Sequence, residues 1–291
     1  GDAISNSDNC FTITPDSSYS KGAIWFDSAV DLNQSFKLIY DINLGCNDNG
    51  GDGMAFVIQG NNSSVSPSVG NMGYLGISPS LSLEFDTYHH IVLGDSIDDH
   101  YSLMKNGNTD HNNVMNTLVA PALFDSSNIE DCLSHNVRIE WYSDSTKLKV
   151  FFDCKQIINY TGNIINTIFG GNNLVYFGWT ASTSLDSNQQ TVCEVYNSIS
   201  HAISDTIICI GDSLNINDPY GDSLIWSSLT SIDTSGIQTL FFPGLKTQYL
   251  LEAHDQCLFV YNDTFTLDVS DDTLLMDTSL IFCKTSNFNL N

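Results

Sequence analysis

Basic residues are scarce in this chain. Only 9 of its 291 residues are Lys or Arg, against 34 Asp and Glu, for a formal net charge of −25. Arg138 is the sole arginine, and Glu84, Glu130, Glu140, Glu194 and Glu252 are the only glutamates, so the charge is nearly all aspartate. Without clustered Lys and Arg a protein cannot neutralise runs of phosphate, which excludes nucleic acid and an anionic membrane surface as partners. No apolar run approaches the roughly 20 residues that span a bilayer, so membrane insertion is not expected. A long i, i+3, i+4, i+7 stripe is also missing, which excludes a helical protein. There is no C-x-x-C pair for a zinc knuckle or a thioredoxin-type site. Neither a G-x-S-x-G elbow nor an H-E-x-x-H helix is present. The chain opens at Gly1 with no charged n-region and no apolar h-region, as expected if a signal peptide has been removed or if this is part of a longer protein.

What is present is apolar and aromatic. The chain is 42% hydrophobic with 16 Phe, 12 Tyr and 4 Trp, enough to build packed cores rather than an acidic disordered tail. The length suits about two domains. Abundant Asp serves solubility, salt tolerance or the binding of hard cations. Short β-branched and aromatic runs recur between Gly, Asn, Asp and Ser clusters: Ala23–Phe26, Phe36–Ile42, Met54–Gln59, Leu81–Phe85, Val137–Tyr142, Leu148–Phe152 and Val175–Thr180. That spacing predicts an all-β fold with a large sandwich over residues 1–203.

The pattern changes near Ser204. Asp205–Ile216, Leu224–Trp226, Thr247–Leu251 and Thr264–Val269 predict a small Ig-like (PKD-like) sandwich over 204–272. The opening then recurs: Asp277–Cys283 is similar to Asp205–Cys209, so 273–291 reads as the start of a second, truncated repeat. The chain is therefore expected to be part of a larger multi-domain protein.

Eight cysteines, evenly numbered and widely spaced, favour disulfides and an oxidising, extracellular or cell-surface location. Cys132 and Cys154 flank two apolar runs joined by the turn Ser143–Lys147, so a hairpin would bring them face to face. Cys209 with Cys257 would clamp the small sandwich, and Cys10 with Cys193 would tie the first strand of the large one to its last. Cys46 and Cys283 have no evident partner.

The densest chemistry lies in Glu84–Phe85–Asp86–Thr87–Tyr88–His89–His90, followed by Asp95 and His100. On a strand Glu84 and Asp86 face the same side. Two carboxylates on one face of an apolar strand are costly to desolvate unless a cation sits between them. Oxygen neighbours suit Ca²⁺, and an added imidazole suits Mn²⁺ or another transition metal. His89 points away from Tyr88 and His90 and is expected to be a loop residue. His111 is expected to lie in a polar loop or behind the ligands, and His135, His201 and His254 to be structural or exposed. Trp25, Trp141 and Trp179 are expected in the core.

This segment resembles the metal loop of L-type (legume-type) lectins, concanavalin A-like jelly-roll sandwiches. That family's E-x-D-x-[YF]-x-N…D…H pattern reads here Glu84-x-Asp86-x-Tyr88-x-His90, Asp95, His100. Gly51–Phe56 resembles its A-D-G-x-A-F strand, Gly73–Gly76 its G-x-L-G loop, and Val137–Trp141 with Leu148–Val150 its back-sheet hairpin. Tyr176–Thr183 resembles the strand before its variable sugar loop. The resemblance covers about residues 10–200 and implies a non-catalytic, glycan- or polysaccharide-binding domain. It assigns Glu84, Asp86, Asp95 and His100 to a transition-metal position. Asp86, Asp95 and the Tyr88 carbonyl would hold Ca²⁺. Asp52 would accept hydrogen bonds from sugar hydroxyls, Gly73 would offer a backbone N–H, and Tyr88 would pack on the sugar ring. The loop Ser184–Gln190, with Ser184, Leu185 and Asp186, would set specificity. The resemblance also implies a cis Gly51–Asp52 peptide.

Two positions depart from the family. Gly51 replaces Ala. His90 replaces the Asn that binds both calcium and sugar, and imidazole is a poor ligand for a hard cation. Water, Asp98 or Asp99 could complete the calcium shell, and His90 could donate to sugar or block the pocket. The cysteine-bearing repeats look like those of large surface proteins from Bacteroidetes-type bacteria, which implies a secreted adhesin. One alternative is a structural surface or filament protein whose lectin fold has lost sugar binding. Another is a glycoside hydrolase on the same sandwich, disfavoured because the second Glu of E-x-D-x-x-E is missing.

Overall fold

The computed structural model describes residues 1–199 except position 8, and beyond them 206–210, 213–217, 224–228, 238–241, 244–254, 257, 260–270, 274–276 and 279–281. The chain divides into two compact units, Gly1–Ile199 and Ser200–Asn291. The first unit contains strands β1 (Ile4–Ser5), β2 (Cys10–Thr14), β3 (Lys21–Trp25), β4 (Val30–Asp31), β5 (Phe36–Asn43), β6 (Gly53–Gln59) and β7 (Ser80–Asp86). It continues with β8 (His100–Lys105), β9 (Thr117–Leu123), β10 (His135–Tyr142), β11 (Lys147–Phe152), β12 (Lys155–Thr161), β13 (Leu174–Ser182) and β14 (Gln190–Asn197). A single turn of helix, Ile164–Thr167, precedes β13.

These strands form two sheets of a sandwich, one in the order β1-β2-β14-β5-β10-β11-β12 and the other β3-β13-β6-β7-β8-β9, with β4 also on β13. Alternation explains the back sheet: in β11 Leu148, Val150 and Phe152 are buried while Lys147, Lys149 and Phe151 face outward. The strands β6 and β7 are buried along their whole length, as expected for the middle of a covered sheet. Between the sheets pack Leu38, Tyr40, Phe56, Phe85, Trp141, Phe177 and Trp179. Trp141 Nε1 donates to the Leu32 carbonyl at 2.8 Å, so the indole is buried without losing its hydrogen bond. Trp25 is half-buried and donates to the Val65 carbonyl.

Cys10 and Cys193 face each other across β2 and β14 and form a disulfide. Cys132 does not pair with Cys154; it is bonded to Cys46. The hairpin register shows why. Val137 pairs with Phe152, and Phe152 already pairs with Lys155 of the next strand. Asp153 and Cys154, both at positive φ, are therefore the two central residues of a tight turn and not a continuation of β11. Cys132 is turned the other way, its N–H donating to the Gly45 carbonyl at 2.9 Å. Cys154, Cys209 and Cys257 are also disulfide-bonded. His135 is buried and pairs with Asp153 at 2.7 Å, a structural role.

In the second unit, Thr206–Cys209 runs parallel to Val260–Ser270, which pairs in turn with Thr247–His254 and that with Leu224–Ser228. Leu214–Asn217 pairs with Gln238–Phe241. His201, Cys283 and most of the expected second repeat lie outside the described residues.

Candidate functional site

The register of four adjacent strands assembles the site at one end of the sheet. Gly53 pairs with Ser182 of β13 on one side and with Asp86 of β7 on the other, and Asp86 pairs with His100 of β8. Asp52 precedes Gly53, so it lies at the same end. Its N–H donates to the Ser182 carbonyl at 2.9 Å, and its carbonyl accepts from Thr87 N–H at 3.4 Å. The Gly51–Asp52 peptide is cis.

Asp52 is 1% exposed. Its Oδ2 accepts from the Ser182 hydroxyl at 3.1 Å, while Oδ1 is buried without a partner. Burial raises its pKa, and the polar groups of Ser184, Ser182 and the Asn71 backbone nearby offset part of that rise. The Asn71–Gly73 turn sits over this carboxylate. Gly73 is buried at φ +80°, where a Cβ would come within 2.8 Å of the Ala181 carbonyl oxygen. Its own N–H donates to the Gly70 carbonyl at 3.2 Å, so that donor is engaged inside the turn, and Asn71 supplies the backbone N–H facing Asp52.

Tyr88 covers Gly51: a Cβ there would lie 2.9 Å from Tyr88 Cδ2. The Gly in place of Ala is thus what lets the aromatic ring settle on the backbone. The His90 ring packs against Tyr88 with centroids 4.7 Å apart, and its Nδ1 lies 3.7 Å from Asp95 Oδ2. Leu185 is exposed and its carbonyl accepts from Ser18. Asp186 lines a polar groove of about 510 Å³ with Asp48, Gly50, Tyr88, Asp98 and Asp99. His89, as expected, is a loop residue whose Nδ1 lies 2.7 Å from the Ser96 carbonyl.

Behind this surface the acids converge. Glu84 is fully buried and accepts from the hydroxyls of Tyr74 and Ser102. Asp86 Oδ1 accepts from Tyr88 N–H at 2.9 Å, and Asp95 Oδ2 accepts from His90 N–H at 2.7 Å. Burial, then the charges of Glu84 and Asp95, raise the pKa of Asp86 well above the usual carboxylate range. His100 Nε2 is buried, without a hydrogen-bond partner, 3.8 Å from Asp86 Oδ2. Burial lowers the His100 pKa.

His111, expected in a polar loop or behind the ligands, is a buried member of this cluster. Its Nδ1 is 2.8 Å from Asp95 Oδ1 and its Nε2 is 2.8 Å from Glu84 Oε2. Burial opposes its charge, but the hydrogen bonds and charges of Asp95 and Glu84 together outweigh it and raise its pKa to about 10. Asp95, His100 and His111 each place one ligand atom within 4.8 Å of the others. Spacing could not reveal His111, because it comes from the turn after β8. The available signal was one imidazole beside Asp110 in an acid-rich chain.

The two metal positions suggested by the resemblance differ in fit. Asp86, Asp95 and the Tyr88 carbonyl offer oxygens of the kind Ca²⁺ takes, with water completing the usual 6–8 ligands. The unneutralised burial of Asp86 supports that position. The transition-metal position does not fit as built, because the His111 ring lies between Glu84 and Asp95. Asp99 Oδ2 accepts from Ile129 N–H at 2.7 Å.

The specificity loop is held by a contact that the sequence did not announce. Asn188 donates to Glu130 and to the Asn47 carbonyl, while its Oδ1 accepts from the N–H groups of Cys46 and Asn47. The Cys46–Cys132 disulfide fixes the same segments. Burial, then repulsion from Asp99, raise the Glu130 pKa to about 8. A carboxyl whose folded pKa exceeds its unfolded value keeps its proton longer in the native state, so stability falls as pH rises through the interval. We expect wild-type stability, measured by urea unfolding, to decline between about pH 4.5 and about pH 8. Glu130→Gln should flatten that slope and gain stability relative to the wild type as pH rises toward 8. Equal slopes would show that Glu130 ionises freely.

Residues 1–195 match the legume lectin beta-barrel domain family. Among solved structures, lectin II from Ulex europaeus aligns with a TM-score of 0.54 at 17% identity, covering 67% of this chain and 88% of that one. A basic winged bean lectin solved with Tn-antigen aligns at 0.52 and 17%, covering 66% and 87%. The VIP36 exoplasmic/lumenal domain in its Ca²⁺/Man3GlcNAc-bound form aligns at 0.51 and 19%, covering 67% and 79%. At such identities these likenesses are of fold. The family match spans most of the chain and both sheets, including the one that positions Asp52, Glu84, Asp86, Asp95 and His100: the chain belongs to the legume (L-type) lectin family, whose members are non-catalytic carbohydrate-binding proteins.

Proposed function

We propose that residues 1–199 bind a glycan at the Asp52 pocket, with Ca²⁺ on Asp86, Asp95 and the Tyr88 carbonyl ordering the 87–99 loop. The observation that carries this reading is the Asp52 carboxylate, buried with Oδ1 unpartnered beneath the 71–73 turn and beside Ser182 and Ser184. A buried acceptor without a donor is costly to a fold that does not use it. Sugar hydroxyls are donors of the required kind, and the Tyr88 ring supplies an apolar wall. The 204–272 and 273–291 segments act as Ig-like spacers of a secreted bacterial surface adhesin, in which repeated copies offset weak single-site affinity.

His90 favours a second reading, a surface protein that keeps the fold without binding sugar, because its ring stands against Tyr88 and its charge is felt at Asp52. Calcium titration of the chain followed by glycan-array binding separates the two. Calcium-dependent glycan capture supports the lectin reading. Absence of both calcium and glycan binding leaves the structural one. Release of reducing sugar from a polysaccharide would overturn both.

A further inference from the structure

We propose that the His111 side chain occupies the seat between Glu84 and Asp95 that legume-type lectins give to a transition ion, so that this chain ties the two carboxylates together without that metal. The inference rests on the lectin reading for the identity of the seat, but not on sugar binding.

Three observations support it. First, both ring nitrogens are engaged, at 2.8 Å from Asp95 Oδ1 and 2.8 Å from Glu84 Oε2, on opposite sides of one imidazole. An ion with bonds of about 2.0–2.2 Å would need its ligand oxygens closer than a ring plus two hydrogen bonds allows.

Second, both carboxylates already accept from protein donors on the His111 side. Glu84 accepts from Tyr74, Ser102 and His111, and Asp95 from His111 and the His90 N–H.

Third, the ring is placed by its own backbone and is not a mobile side chain drawn in by chance. His111 N–H donates to the Leu93 carbonyl at 2.8 Å, and its carbonyl accepts from the Thr117 hydroxyl at 3.2 Å. Its side chain is 2% exposed, so water does not compete for the two contacts. His111 thus joins β7 to the 87–99 loop, the mechanical task that a bound ion would perform. His111 meets Asp95 at Oδ1, while Asp95 Oδ2 accepts from the His90 N–H.

The test uses the full chain stripped with a chelator and titrated with Mn²⁺, Co²⁺ and Zn²⁺ by calorimetry. In parallel, histidine side-chain ¹⁵N spectra are recorded with and without Zn²⁺. The expected result is no binding of Mn²⁺ or Co²⁺ tighter than millimolar, and His111 ¹⁵N shifts unchanged by Zn²⁺. His111→Ala should open the seat and raise Co²⁺ affinity at least tenfold, with a cobalt visible spectrum. His111→Gln, which keeps a donor, serves if the alanine variant does not fold. Stoichiometric Mn²⁺ or Co²⁺ binding by the wild type, or a Zn²⁺-induced shift of His111 to a metal-bound value, overturns the proposal. Glycan binding is scored separately: its absence, with no Mn²⁺ or Co²⁺ bound by the wild type and His111→Ala gaining Co²⁺, removes the lectin reading and leaves this inference standing.

Discussion

Asp52→Ala should lower the affinity for any glycan this domain captures by at least a hundredfold while leaving its melting temperature unchanged or slightly higher. Two hydrogen bonds from sugar hydroxyls to an ionised carboxylate contribute about 1.5–3 kcal/mol each, and about 1.4 kcal/mol is a factor of ten. The stability half of the result has a separate cause. In the native chain Oδ1 of Asp52 is buried without a donor, and burial raises the pKa of the group, so the carboxylate is a cost to the empty fold. Removing it relieves that cost, the usual opposition between a binding site and stability. Because the charged form accepts best, binding should also weaken as pH falls, sooner than for an ordinary Asp, given the raised pKa. Calorimetry with a glycan chosen from the array and thermal unfolding of the same samples check both halves. A variant that binds normally would move the sugar site elsewhere. One that melts early would make Asp52 a structural residue.

Trp179→Ala should be the most destabilising of the changes considered, by about 3–5 kcal/mol, the range for truncating a large buried aromatic ring. Trp179 is 1% exposed and meets Tyr40, Phe56 and Phe85 at centroid distances of 5.3, 5.5 and 5.8 Å. These residues come from β5, β6 and β7, so the indole joins the two sheets at their middle. Its removal leaves a cavity that rigid strands on three sides cannot close. For a unit of this size each kcal/mol lowers the melting temperature by roughly 2–4 °C. Trp179→Phe, which keeps a ring in the space, should cost less than half as much. Trp179 lies only three residues before Ser182, yet its side chain points into the core. At temperatures well below melting the glycan affinity of Trp179→Ala should therefore change less than tenfold. A loss of binding equal to that of Asp52→Ala would show that the site depends on the core more directly than the strand geometry suggests.

Much of the architecture was legible in the sequence because it depends on local alternation. Residues two apart share a face, so the runs at 36–42, 54–59, 81–85, 137–142 and 148–152 marked strands that the structure contains, with ends displaced by a residue or two. The same rule placed Glu84 and Asp86 side by side. Cys10 and Cys193 were paired correctly because the first and last long strands of such a sandwich are neighbours in its back sheet. The Cys132–Cys154 pairing failed for an equally local reason. The hairpin was treated as if its second strand ran on past Phe152, whereas the chain reverses at Asp153–Cys154 and leaves no room for the bridge.

What sequence alone determined, then, is the acidic, strand-forming character of the chain and the carboxylate pair on one strand. All of these follow from side-chain chemistry and backbone period. Tertiary structure alone decided that His111 stands between Glu84 and Asp95, that Cys46 takes Cys132, and that Asn188 joins Glu130. Those contacts join residues from different loops, and only the order and register of the strands between them bring the loops together.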